Sequence, residues 1–491
     1  MGAIAFDNSY ARLPQQFYTR QAPVPVDDPA PIRVNRTLAL EMGLDPDWLA
    51  SDEGTRILAG NALPEGAEPL ASVYAGHQFG NYNPQLGDGR AVLLGEVVGP
   101  DGKRYDWQLK GSGPTPYSRG GDGRSPLGPV LREYIISEAM YRLGVPTTRS
   151  LAAVATGELV QREQFLPGAV LARIASSHIR IGTFQFFAAR RDLDSMRTLA
   201  EHVIARHFPE AAGADNPVLA MLEATITRQA ELVAKWQLLG FIHGVMNTDN
   251  MLLSGETIDY GPCAFMDNFK ANQVYSSIDH GGRYAYRNQP AIAHWNLSCL
   301  AQALLPILHD DEGEAVALAQ AAIDTFPHQF LDQHTRGMAL KLGVTELTEE
   351  DTPLVEDLME AMEQHHLDFS LTFRRLADLA GDPGMDGQVD ALFEFPDEMQ
   401  HWLARWRRRL DADSAPAEQR RASMYRANPA LIPRNHLVEE AIAAATFEDD
   451  LAPFNALVEV LENPFNYRDE LARYATGPRP EQEVRQTFCG T

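Results

Sequence analysis

Between Phe241 and Pro262 the chain reads F-I-H-G-V-M-N-T-D-N-M-L-L-S-G-E-T-I-D-Y-G-P, which brings an imidazole, three carboxylates and two carboxamides into one short stretch. Asn250 and Asp259 offer hard oxygen donors of the kind that suit magnesium or manganese, the other positions being filled by phosphate oxygens and water. Asp249, beside Asn250, is the only carboxylate in the His243 loop and the candidate to accept a proton. Upstream, Q-L-G-D-G-R at 85–90 is a turn in which Gly87 and Gly89 let the backbone come close to phosphate, while Arg90 adds charge. A strand over Ala91–Val98, a Gly-Pro-Asp-Gly turn and a second strand place Lys110 at the second strand's end. Together these residue types point to transfer of a phosphate-containing group from a nucleotide.

The order of glycine turn, strand, lysine, helix glutamate, long helix, histidine loop, Asn, apolar strand and Asp-x-Gly resembles that of a protein kinase. His243, Asn250, Asp259, Tyr260 and Gly261 fall on the kinase template, but the position of its catalytic aspartate is Val245, which accepts no proton. The nucleotide or the acceptor must then be presented differently. Singly, each piece has a plain structural alternative. A Gly-x-Gly turn is usually only a turn, a strand-terminal lysine a solvated edge residue, and an Asn/Asp-rich loop a helix cap. Order and spacing together argue against chance. The helix expected over about Leu127–Leu143 offers Lys110 two partners, Glu133 and Glu138, on different faces, and periodicity does not choose between them.

Longer segments narrow the reading: Y-A-G-H-Q-F-G at 74–80, Q-L-G-D-G-R at 85–90, L-K-G-S-G-P-T-P-Y-S-R at 109–119, G-D-G-R at 121–124 and D-Y-G-P-C-A-F-M-D at 259–267. They resemble the selenoprotein O family, also called the YdiU family. The match runs over most of the chain, including N-P-A-L-I-P-R-N-H at 428–436 and Cys489 near the end. The resemblance implies a kinase-like protein adenylyltransferase that binds ATP in a flipped orientation and passes AMP to a Ser, Thr or Tyr hydroxyl of another protein, with UMP as the alternative group. Carried over by position, the family's nucleotide contacts fall on Gly87, Gly89, Arg90, Lys110, Asp122, Gly123, Arg173, Arg180 and Asp259. The base falls on Asp249, the Mg2+ or Mn2+ ligands on Asn250 and Asp259, and the partner of Lys110 on Glu133. AMP transfer makes pyrophosphate the leaving group, so fixed positive charge must sit on its oxygens, and Lys110, Arg173 and Arg180 are the cations for it. Arg173 and Arg180 are expected on one helix face or at the two ends of a turn, with two solvated arginines as the plain alternative. Cys489 stands where some family members carry selenocysteine, which implies a redox role; Cys263, directly after D-Y-G-P, is the expected partner in a regulatory disulfide, with a solvated tail thiol as the plain alternative.

A bilobal, protein-kinase-like α+β fold would position these residues. Residues 1–70 read as a Pro-rich arm, 71–160 as the N-lobe, 161–290 as the catalytic part of the C-lobe, 291–472 as a helical extension and 473–491 as a flexible tail. Helices near 192–208 and 216–239 precede the His243 loop, and breaks are expected at Pro306, Pro327, Pro353, Pro383 and Pro396. The R-W-R-R-R run at 405–409 reads as a solvated helix face rather than a docking patch. A formal net charge of -25 over 491 residues argues against nucleic acid and anionic membranes as partners. No run of about eighteen apolar residues occurs. The N-terminal M-G-A-I-A-F-D-N has neither a basic region nor an apolar signal core, so a cytoplasmic enzyme acting on ATP and proteins is the expectation. The three cysteines lack metal-site spacing and suit a reducing compartment. Three functions remain: AMP transfer; conventional γ-phosphoryl transfer, which Val245 argues against; and a non-catalytic nucleotide-binding scaffold, in which intact Lys110, Asn250 and Asp259 would be an odd retention.

Overall fold

The structure is a computed structural model and describes residues 4–381 and 396–488. Its first part folds into one antiparallel sheet of nine strands: β1 (Tyr18–Arg20), β2 (Ala30–Val34), β3 (Leu70–Gln78), β4 (Asn81–Gly87), β5 (Ala91–Val98), β6 (Arg104–Lys110), β7 (Ser125–Pro126), β8 (Arg149–Gln161) and β9 (Phe165–Ala175). The order is β1-β3-β5-β6-β9-β8-β2, with β4 on β3 and β7 on β9. Strand β5 is apolar almost throughout because both its faces are covered. Leu93 looks into the large central core, while Val92, Leu94 and Val97 look into a second one beneath the short helices Arg36–Glu41, Pro46–Leu49 and Asp52–Leu58. The expected arm is therefore part of the sheet unit: it supplies both outermost strands and the cover of one face. The sheet also runs past residue 160, because β9 lies between β6 and β8.

Helix Leu127–Arg142 crosses the other face of the sheet, and helices Asn435–Phe447 and Ala452–Val460 cover its outer side. Tyr134 packs edge-on against Phe454 there, with ring centroids 5.6 Å apart. Cover on both sides makes the helix apolar all round, which is why its periodicity does not distinguish Glu133 from Glu138.

The helices Ile181–Ala189, Leu193–His207, Pro217–Leu239 and Gln289–Leu308 share the central core. The segment Tyr286–Leu308 is long and apolar enough to cross a membrane by length and composition. Ala293, Leu297, Leu300 and Leu304 on it are buried in that core, which accounts for its composition. A further core, around Phe373, Trp402 and Trp406, is built by helices from Phe326–Leu342 to Ala417–Ala427. Pro327 and Pro353 open helices, where proline's missing N–H costs nothing. Pro306 lies inside Gln289–Leu308 near its end and does not break it, and Pro383 lies outside the described residues. The 405–409 run is not wholly a solvated face. Trp406 is buried, Arg405 pairs with Asp357, and Arg409 pairs with Asp351 at 2.7 Å. The described part of the tail is mostly exposed but anchored near its end. Thr487 is buried, its N–H donates to Tyr275 O (2.8 Å) and its hydroxyl to Pro262 O (2.6 Å).

Candidate functional site

Helix Pro217–Leu239 ends at Gly240 and hands the chain to β10 (Phe241–Ile242), which pairs with β11 (Ala264–Phe265). The loop between these two strands is laced by its own side chains. His243 is buried with Nε2 2.8 Å from Ile258 O, so that nitrogen is the donor, and burial holds its pKa below the ordinary histidine value. Asn250 donates Nδ2 to Val245 O (3.0 Å), which assigns its Oδ1 to any cation. Asp259 sits in the left-handed region at φ 64°, a conformation that Asp tolerates better than most residues.

Three cations converge on Asp259. Lys110 Nζ lies 2.9 Å and Arg173 Nη1 2.7 Å from Oδ1, and Arg180 Nη1 lies 2.9 Å from Oδ2. Glu133 braces two of them, at 2.5 Å from Lys110 and 3.1 Å from Arg173. Glu138 points elsewhere, to Arg149 and the Ser150 N–H, so the structure selects Glu133 as the partner of Lys110. Arg173 lies on β9 and Arg180 caps helix Ile181–Ala189. They stand at the two ends of a strand-to-helix connection, and both are buried rather than solvated. Burial alone would raise the Asp259 carboxyl, but the three cations hold it well below the usual carboxylate range.

Asp249 has the opposite environment. It is 6% exposed, its Oδ2 accepts from Gln78 Nε2 (2.9 Å), and Oδ1 is buried without a hydrogen-bond partner. Burial pushes its carboxyl up to about 6 against the Gln78 hydrogen bond and the Arg180 charge, which pull it down. Asp249 and Asp259 line one cavity of about 890 Å3 together with Gly87, Gly89, Arg90, Lys110, Asp122, Gly123, Glu133, Arg173, Arg180 and Asn250. Every nucleotide, base and metal position expected from sequence therefore faces one space. Cys263 is fully buried before β11 and is not part of the cavity lining, and Cys489 lies outside the described residues. For a divalent cation the donor set fits: the Asn250 amide oxygen and the ionised Asp259 are both hard oxygens.

The family model described as "Protein adenylyltransferase SelO" matches residues 1–462. The chain belongs to the SelO family. It is similar to the "Protein nucleotidyltransferase YdiU" of Rhodopseudomonas palustris (strain BisB5), with 59% identity over 486 residues covering 99% of each chain. The protein of the same name from Bradyrhizobium sp. (strain BTAi1) is 58% identical over the same length and coverage. The reaction class of the SelO family is nucleotidyl transfer.

Several residues in or behind the wall of this SelO-family cavity carry no signal in the sequence reading. Gln108 on β6 accepts two bonds from Arg173, at 3.1 and 2.6 Å, and aims that guanidinium. Tyr117 fills the room that Gly87 leaves: at φ 147° a Cβ there would meet the Tyr117 ring at 2.4 Å. Gly89 lies under the Tyr117 carbonyl in the same way. The close approach these glycines permit is thus to the 115–118 loop, while the glycines themselves still face the cavity. Asp122 is held by Arg162 at 2.8 Å. The segments Y-A-G-H-Q-F-G and T-P-Y-S were visible as unusual motifs, but neutral Gln and Tyr side chains announce no charge chemistry.

Proposed function

We propose that the protein is a protein adenylyltransferase on a bilobal kinase-like fold, moving AMP from ATP to Ser, Thr or Tyr hydroxyls. The observation that carries this is the convergence of Lys110, Arg173 and Arg180 in the cavity that also holds buried Asp249, with Val245 where a kinase keeps its base. A cluster of fixed cations is suited to pyrophosphate, because the charge of the departing group accumulates on oxygens they can reach. In the flipped orientation the β- and γ-phosphates lie among these cations and the α-phosphorus faces Asp249. The acceptor oxygen bonds to the α-phosphorus, the bond from that phosphorus to the bridging oxygen breaks, pyrophosphate leaves, and Asp249 takes the hydroxyl proton. A carboxyl pushed up to about 6 is a better proton acceptor than an ordinary one, yet stays mostly ionised at neutral pH. Asn250 and Asp259 would hold a magnesium or manganese ion, which supplies neutralising charge to the phosphates.

Labelled ATP tests the reading. With the full chain and Mg2+ or Mn2+, the α-phosphate label is expected to become protein-bound and the γ-label is not. Asp249→Ala is expected to lower transfer by about 100-fold or more. Protein-bound γ-label would establish a conventional kinase, and no label from either position a binding scaffold. Either result overturns the proposal.

A further inference from the structure

The end of β3 is tied down over the His243 loop. His77 N–H donates to Thr248 Oγ1 (2.7 Å), Gln78 Nε2 to Asp249 Oδ2 (2.9 Å) and Phe79 N–H to Asn247 Oδ1 (3.1 Å). The two preceding loop residues are also held from other elements: Thr248 Oγ1 donates to Gln185 Oε1 (2.6 Å) and Asn247 Oδ1 accepts from Tyr284 OH (2.6 Å), while Gln185 and Tyr284 in turn touch the strand end at His77 Nδ1 (2.9 Å) and the Phe79 N–H (3.2 Å). Two of the three strand-to-loop bonds come from backbone N–H groups, which any residue but proline would supply. Only position 78 brings a side chain to the carboxylate.

A carboxylate turns about its Cβ–Cγ bond, and in a reaction that uses one oxygen this freedom lowers the fraction of productive encounters. Here Gln78 holds Oδ2, while Oδ1 is buried and has no hydrogen-bond partner. Gly76, on the same strand, leaves open the space against Oδ1: a Cβ at that position would stand 2.4 Å from it. Gln78 thus restrains one oxygen by a hydrogen bond, and the missing side chain at Gly76 lets the other pack against the same strand, so β3 fixes the plane of the carboxylate.

We infer that Gln78 is the positioning residue for Asp249, fixing the plane of the carboxylate that receives the acceptor's proton as the bond to the α-phosphorus forms and pyrophosphate departs. This rests on the adenylyltransfer reading. Gln78 lines the cavity but spends its amide on Asp249, so its removal is expected to lower turnover and to leave ATP recognition near that of the parent.

The test is self-labelling of the full chain by α-labelled ATP, with Gln78→Met, which keeps the shape and loses the donor. Expected is a ~10- to 100-fold fall in kcat, the range for losing a group that orients a functional ligand, with KM for ATP within twofold of the parent. In an Asp249→Ala background the same substitution is expected to produce no further fall, because its effect passes through the base. A purely structural role would lower the thermal midpoint, raise KM or add to the Asp249→Ala loss. If Gln78→Met shifts the midpoint, Gln78→Asn carries the comparison, since its amide stops short of Oδ2. The inference is overturned if both variants keep kcat within twofold, or if their losses add fully to that of Asp249→Ala. A parent chain that takes up no α-label overturns the adenylyltransfer reading itself, and the unsubstituted control tells the two failures apart.

Discussion

Asp249 and Asp259 belong to one loop and line one cavity, yet their surroundings drive them in opposite directions. Burial raises the first to about 6, and the three cations around the second hold it far down. Two like side chains thereby acquire opposite protonation tendencies, the contrast that a proton acceptor and a permanent anion require. The space beside Asp249 is as much a part of this as the charges are. Gly76→Ala would put a methyl 2.4 Å from Oδ1, so either the carboxylate or β3 must shift. The expected outcome is a ~100-fold loss of α-label transfer, the order of effect of moving a reacting group by about 1 Å. Nucleotide affinity, measured by titration with a fluorescent ATP analogue, should stay near that of the parent. The charged residues and the one metal-type amide were legible in the sequence at this scale. Lys110, Asp249, Asn250 and Asp259 declare their chemistry by type and order. Gln78 and Gln108 do not, because an amide on a strand means nothing until the carboxylate or guanidinium it holds is found across the fold.

Among the elements, helix Phe326–Leu342 carries a lysine far from the cavity that is almost wholly buried. Lys341 Nζ lies 4.1 Å from the Phe373 ring centroid and 5.5 Å from that of Phe369, and burial lowers its pKa to about 7. A lysine whose folded pKa lies below its unfolded value destabilises the fold wherever the unfolded chain binds the extra proton. That cost is complete below pH 7 and fades as pH rises from 7 towards the ordinary lysine value. Lys341→Met is therefore expected to stabilise by about 2–4 kcal/mol at pH 6, the ring contacts offsetting part of the full desolvation cost. Denaturant unfolding at pH 6 and pH 9.5 checks both the gain and its shrinkage. Helices such as Pro217–Leu239, with Asn216 at the N-cap and Gly240 after the last residue, were legible from end signals and spacing. Helix Leu127–Arg142 was legible as a helix but not in orientation, because cover on both sides erases the polar face that periodicity needs.

For the molecule as a whole, Arg434 joins three distant parts. It is fully buried and reaches Asp267 (2.9 Å), Asp368 (2.6 Å) and Ala475 O (2.7 Å), so the segment after D-Y-G-P, a helix N-cap and the C-terminal region meet on one guanidinium. Arg434→Ala leaves two carboxylates buried without their cation and is expected to destabilise by about 3–5 kcal/mol in chemical denaturation. The motif around Arg434 was visible in the sequence, but its role was not, since both partners lie more than sixty positions away. The same reason hid β9, whose place in the middle of the sheet depends on pairing with β6 and β8 rather than on any local pattern.

The stretch from Tyr18 to Val34 contributes β1 at one extremity of the sheet and β2 at the other. A single short stretch of backbone thus seals both rims. A chain shortened to begin after Val34 would leave open ladders on β3 and β8, each able to recruit a strand from another molecule. What looks like a proline-rich leader is, in that sense, the guard that keeps neighbouring copies from zipping together.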